Sequence, residues 1–84
     1  MACTYIIYSK ITDKFYTGST REDSPVKRID AHNKGTTRST KHGRPWILAY
    51  EEKYGTYTEA RRRELFLKTG VGRSWIKENV QLEK

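Results

Sequence analysis

The hydrophobic pattern begins with Thr4-Tyr5-Ile6-Ile7-Tyr8, a β-branched and aromatic run that predicts a strand. Phe15-Tyr16-Thr17 predicts its partner, and the polar, turn-forming stretch Lys10 to Lys14 between them predicts a hairpin. Gly18 then allows a bend or a close approach by another group. Ser24-Pro25 predicts a helix start, with serine as the cap and proline at the first helical position. That helix is expected to run from Pro25 to about Asn33 and to stop at Gly35, with Val26 and Ile29 on its apolar side. Arg28 and His32, four apart, share a face rotated away from Val26. Thr36 to Arg44 is basic and polar with too little apolar surface to pack, so it predicts an exposed, mobile loop.

Trp46-Ile47-Leu48-Ala49-Tyr50 predicts a third strand, apolar on both faces and therefore central or well covered. Gly55 ends it. Thr56 and Glu59 form a capping-box pattern that starts a helix reaching about Lys68. At 100° per residue Ala60, Glu64 and Leu67 fall on one stripe. A carboxylate there is unusual, because an unpaired buried charge is costly. Gly70-Val71-Gly72 is expected to break this helix, with a short final helix from Arg73 to Asn79. The order β-β-α-β-α-(α) predicts an α+β fold, a three-stranded antiparallel sheet flanked by helices, in one domain over residues 1–84.

Composition narrows the function. The 84 residues leave room for one modest core, so an active site is expected as a shallow surface cleft. A lone cysteine, Cys3, excludes an intrachain disulfide and a cysteine-based zinc site. The N-terminus has neither a signal-peptide pattern nor an apolar run long enough to span a membrane, which gives a cytoplasmic expectation. The formal net charge is +7, and Lys27 to Arg44 holds six Lys/Arg against one acid, Asp30. Positive charge at this density attracts polyanions and releases their counterions. The bland alternative is a solubilising surface. An anionic membrane is the weaker competitor, since no basic amphipathic helix with a wide apolar face is present.

Five residues carry candidate chemistry. Glu64 is a candidate ligand for a hard divalent cation, which takes oxygen donors and keeps most of its waters. Its alternative is a core-edge glutamate paired to an arginine such as Arg28 or Arg63. Arg28 suits a phosphate clamp through its planar fork of donors. His32 titrates near neutrality and suits proton transfer. On an exposed helix such a pair is more commonly a solvated face. Tyr5 and Tyr16 read by themselves as strand packing residues.

Cys3-Thr4-Tyr5, ten residues, then Tyr16-Thr17-Gly18 resembles the signature of the GIY-YIG endonucleases. Arg28 and His32, Glu59-Ala60 leading to Glu64, and the Gly43-Arg44-Pro45-Trp46 approach to the third strand extend the resemblance from Cys3 to about Asn79. The resemblance implies that Tyr5 helps to activate the attacking water and that Tyr16 holds that water or the scissile phosphate. It implies that Arg28 stabilises phosphoryl charge, His32 assists proton transfer and Glu64 binds one divalent metal, magnesium or manganese. It also points to Asn79 as a residue that completes the site. A tyrosine base has a reference pKa of about 10, so nearby metal and arginine charge are expected to lower it. All five side chains are expected to line one concave face.

The implied activity is metal-assisted hydrolysis of DNA, selective for structure more than for sequence, as in repair, recombination or mobile-element processing. Lys27, Lys34, Arg38, Lys41, Arg44, Arg61 and Arg62 are the candidate nucleic-acid contacts, and a partner protein is a further source of specificity. The alternatives are a non-catalytic nucleic-acid-binding module of the same fold and an RNA-directed nuclease.

Overall fold

The computed structural model describes residues 1–80. It contains β1 (Ala2–Ser9), β2 (Lys14–Thr20), α1 (Val26–Asn33), a 3₁₀ turn η1 (Arg38–Gly43), β3 (Trp46–Tyr54), α2 (Tyr57–Leu67) and α3 (Gly70–Asn79). The sheet is antiparallel in the order β2-β1-β3, so the predicted α+β architecture holds. The hairpin turn closes with Asp13 at φ 54°, a left-handed conformation that aspartate tolerates. The Tyr8 hydroxyl donates to the Asp13 carboxylate across the turn.

The strand in the middle is β1, and every one of its residues is buried. The expectation of a central third strand fails. β3 is an edge, with Ile47 and Leu48 exposed at 43% and 44%. A short apolar run does not reveal strand order, and here β1 is paired on one side by its hairpin partner and on the other by β3. The β1–β3 register shifts between Ile6 and Ile7, pairing Ile6 with Tyr50 and Ile7 with Leu48. The extra residue, Ala49, packs beside Tyr50 against the Ile6 cluster, as a bulge permits.

Alternation along β1 divides the core. Ile6 packs with Leu67, Ile76 and Val80 beneath α2 and α3. Tyr5 and Ile7 pack with Trp46, Tyr16 and Ile29 on the face covered by α1. The Thr4 hydroxyl donates to the Ala60 carbonyl at 2.7 Å, tying β1 to α2.

Four local expectations change. Pro25, not Ser24, occupies the cap position of α1, while the Ser24 Oγ accepts from the Val26 N–H at 3.3 Å. Val26 lies 60% exposed, because the sheet-facing side of α1 carries Ile29 and His32 instead. The glycine stop holds, with Gly35 at φ 78°. Thr36 to Arg44 is not a free loop: η1 buries Thr40 and Gly43. Trp46 fixes it, donating from Nε1 to the Thr40 carbonyl at 2.7 Å while its own backbone N–H and C=O bond the Asn33 amide. Finally, Gly70-Val71-Gly72 starts α3 instead of breaking a helix. Thr69 caps α3, its Oγ1 accepting from the Gly72 N–H, and the α2–α3 break falls at Lys68 and Thr69. The α2 cap matches expectation, with Thr56 Oγ1 accepting from the Glu59 N–H and donating to its carboxylate.

Candidate active site

Tyr5 points from the middle of the sheet towards α1, directly opposite Gly18 on β2. A Cβ at position 18 would lie 2.5 Å from the Tyr5 hydroxyl oxygen and 2.6 Å from Cζ, so the ring occupies the space that glycine leaves open. Gly18 is thus the floor on which Tyr5 lies. Tyr16 is two residues along β2 on the same face, and its ring meets His32 edge-on at 5.0 Å between centroids.

His32 is fully buried, which the solvated-face alternative does not accommodate. Its Nε2 lies 3.1 Å from the Tyr5 hydroxyl, and its Nδ1 lies 2.8 Å from Thr40 Oγ1. Thr40 Oγ1 donates in turn to the Thr37 carbonyl at 3.2 Å. A threonine hydroxyl has one proton. For all three bonds to form together, Thr40 must accept from Nδ1–H and Tyr5 must donate its phenolic proton to Nε2. The chain from Tyr5 through His32 and Thr40 to Thr37 is therefore directional.

The charges around it are unequal. Burial pushes the His32 pKa below its ordinary value, and the nearby Arg28 charge pushes it further, so the imidazole is neutral at neutral pH. Burial raises the Tyr5 pKa; the hydrogen bond and charge of Arg28 oppose that rise without cancelling it, and Tyr16 and Glu64 add to it. Arg28 thus acts in the expected direction, and burial outweighs it. Arg28 is raised by the same contact with Tyr5. Its side chain lies at the exposed surface of α1, beside the buried hydroxyl.

Glu64 approaches from elsewhere. It is on α2, and its Oε1 accepts from Ser19 Oγ at 2.5 Å. Ser19 pairs with Thr4, whose hydroxyl faces α2, so Glu64 lies on the face of the sheet opposite Tyr5. The five residues do not line one face. They are divided between the two sides of the sheet, and at β2 Lys68 links Glu64 to Tyr16. Its ammonium is 2.7 Å from Glu64 Oε2 and 5.7 Å from the centre of the Tyr16 ring.

Glu64 is 5% exposed and paired, to Arg61 at 2.8 Å and to Lys68 at 2.7 Å, so the arginine-paired core-edge arrangement is present, with Arg61 in place of Arg28 or Arg63. Burial alone would raise its pKa. Hydrogen bonds from Lys68, Ser19 and Arg61 outweigh burial and hold it below the ordinary value, so the carboxylate stays ionised. Arg63 instead binds Glu52, which also accepts from Tyr50 and Tyr54.

Among the described residues no group of three or more His, Cys, Asp and Glu gathers as a metal cage. One ionised carboxylate beside a serine hydroxyl nevertheless fits a hard divalent ion that keeps most of its waters. The two cations on Glu64 have half-exposed side chains. Glu64 is the residue that would hold such an ion.

Asn79 is exposed, and its Nδ2 donates to the Trp75 carbonyl one turn back at 2.9 Å; no contact joins it to the five among the described residues. Lys27, Lys34, Arg38, Lys41, Arg44, Arg61 and Arg62 are all exposed. They form no single track: most follow α1 and η1, whereas Arg61 and Arg62 are on α2. Thr40, Ser19 and Lys68 take part in the site although sequence reasoning passed over them. Only Lys68 had a signal, its i,i+4 spacing from Glu64.

No solved structure matches the chain. Among described residues no helix is long and apolar enough to cross a membrane. Over 71 residues the chain is 39% identical to a UPF0213 protein of Staphylococcus haemolyticus, covering 82% of this chain and 84% of that one. Residues 1–79 match the GIY-YIG catalytic domain, a span that takes in every strand and helix described above. The chain belongs to the GIY-YIG family, whose domain is that of a nuclease.

Proposed function

We propose that this chain is a divalent-metal-dependent endonuclease that hydrolyses phosphodiester bonds in DNA, with its catalytic residues Tyr5, Tyr16, Arg28, His32 and Glu64 in one domain. The observation that carries the reading is the buried hydrogen-bond chain from Tyr5 to His32 and Thr40, set next to an exposed arginine and round the β2 edge from an ionised carboxylate.

Hydrolysis requires water to attack phosphorus, the P–O bond to the leaving oxygen to break, and a proton to be removed from the water. With its pKa raised, Tyr5 is seldom a phenolate before the reaction. It acts as a relay: its proton moves to His32 Nε2 as its oxygen takes the proton of the water. Thr40 presents the tautomer that makes this direction available. Arg28 stabilises charge on the phosphoryl oxygens, and Tyr16 positions the phosphate or the water. Magnesium or manganese held at Glu64 would supply Lewis-acid stabilisation of the phosphate.

The surface is too small to read a long sequence, which supports selection by DNA structure, with RNA as an outcome to be tested. Repair, recombination and mobile-element processing in the cytoplasm fit such selectivity, with a partner protein able to add specificity. The test is a cleavage panel of duplex, branched and single-stranded DNA and RNA, with magnesium, manganese or EDTA, run beside Glu64→Ala. Metal-dependent cutting of DNA by the wild type alone is expected. Equal activity of Glu64→Ala removes the metal assignment, and the absence of cutting under every metal leaves a nucleic-acid-binding module.

A further inference from the structure

The positive charge singled out in the sequence lies on α1, η1 and α2, yet a concavity lies elsewhere. A cleft of about 690 Å³ opens between the hairpin turn, β2, the end of α2 and α3. Lys14, Lys68, Arg73 and Lys77 line it, with Asp13 as the one acid among the lining residues. Asp13 accepts from the Tyr8 hydroxyl. Lys14, Arg73 and Lys77 make no ion pair among the described residues.

The floor of the cleft is apolar, formed by Phe15, Leu67 and Ile76. Charges of one sign above a low-dielectric wall focus their field into the cleft and act more strongly than the same charges on an open surface. The cleft also has a direction. Tyr16 lines it and touches His32, while Lys68 lines it and binds Glu64. Its inner end is therefore at β2, where Lys68 links the two halves of the candidate site.

From this we infer that the cleft is the track for the phosphodiester backbone next to the scissile bond, with Lys14, Arg73 and Lys77 as its phosphate contacts. α1 and η1 are secondary contacts. The occupant is nucleic acid because its charge repeats along a chain, and the cations that would meet it come from two elements, Lys14 from β2 and Arg73 and Lys77 from α3. That identification rests on the nuclease reading; the position of the track rests on the cleft.

The test is binding of a fluorescein-labelled DNA oligonucleotide, single-stranded and duplex, by anisotropy in EDTA over a salt series. Wild type is compared with two triple variants: Lys14→Gln/Arg73→Gln/Lys77→Gln in the cleft and Lys34→Gln/Arg38→Gln/Lys41→Gln on α1 and η1. Circular dichroism confirms that both fold. On the form that wild type binds more tightly, the cleft variant is expected to weaken binding at least about tenfold. The slope of log K against log salt should fall by about 2 to 3. A loss in the cleft variant no greater than that in the α1/η1 variant overturns the proposal. Because no turnover is needed, a chain that binds through the cleft and never cuts overturns the nuclease reading alone. Cutting with binding indifferent to the cleft overturns the track alone.

Discussion

Replacing Thr40 with valine keeps the shape of the side chain and removes its hydroxyl. Thr40 is 1% exposed and His32 fully buried, so water does not take over the lost bond. His32 Nδ1–H would then have no acceptor where it now has one at 2.8 Å. Leaving a buried donor unsatisfied costs about 1–3 kcal/mol. Domains near this size have total stabilities of roughly 5–15 kcal/mol, so the loss is a large fraction. Each kcal/mol shifts Tm by roughly 4–8 °C at this size. The imidazole can avoid the penalty by moving its proton to Nε2, but then it no longer accepts from Tyr5, and the relay is reversed. Urea unfolding measures the first effect and ¹⁵N NMR of the imidazole the second. Thr40→Ser, which keeps the hydroxyl, is expected to retain the Nδ1–H tautomer and most of the activity. A Thr40→Val protein within 0.5 kcal/mol of wild type with an unchanged tautomer would refute the reasoning.

Three other outcomes are expected. Gly18→Ala should displace the Tyr5 ring, since the added carbon falls 2.5 Å from its hydroxyl; activity should drop while ¹⁵N–¹H spectra remain those of a folded chain, and undiminished activity would contradict the close approach. The His32 pKa is lowered below 6.5 on folding, so the unfolded chain binds more protons just below that pH. Stability is therefore present above 6.5 and declines as pH falls through the window between 6.5 and the folded pKa. Denaturation curves of wild type minus His32→Gln isolate this slope, and the acid limb of kcat/KM should fall below 6.5. At the alkaline end, Tyr50 and Tyr54 are pushed up from 10.0 to about 12, chiefly by burial and then by their bonds to Glu52. The unfolded chain loses those protons first, so stability should decline as pH rises from about 10 to about 12, and Glu52→Gln should lessen the decline.

Much of the fold follows from local signals. The β-branched run at Thr4 to Tyr8, the Thr56/Glu59 box and Gly35 each express a preference that depends only on neighbours in sequence, and each holds in the structure. Strand order does not, because the central position of β1 depends on pairing with residues 37 to 52 positions away. Thr40 was illegible for a similar reason. Its surroundings are polar and basic, and it is buried only because His32 and Trp46 close over it from two other elements. The helical stripe flagged Glu64 correctly as an anomaly. Its partners could also have been read, since Arg61 and Lys68 are three and four residues away on the same helix. The cleft cations come from the hairpin, the end of α2 and α3, so no single window of sequence shows them together.

The central claim is that the groups linked at β2 perform hydrolysis. The most direct measurement is single-turnover cleavage of the preferred substrate by wild type, Tyr5→Phe and Glu64→Gln, each prepared identically and shown to be folded. The account predicts metal-dependent cleavage by wild type and a loss of at least about 10²-fold in each variant, the lower end of what a positioned proton-transfer group contributes. Cleavage by either variant at the wild-type rate would contradict it.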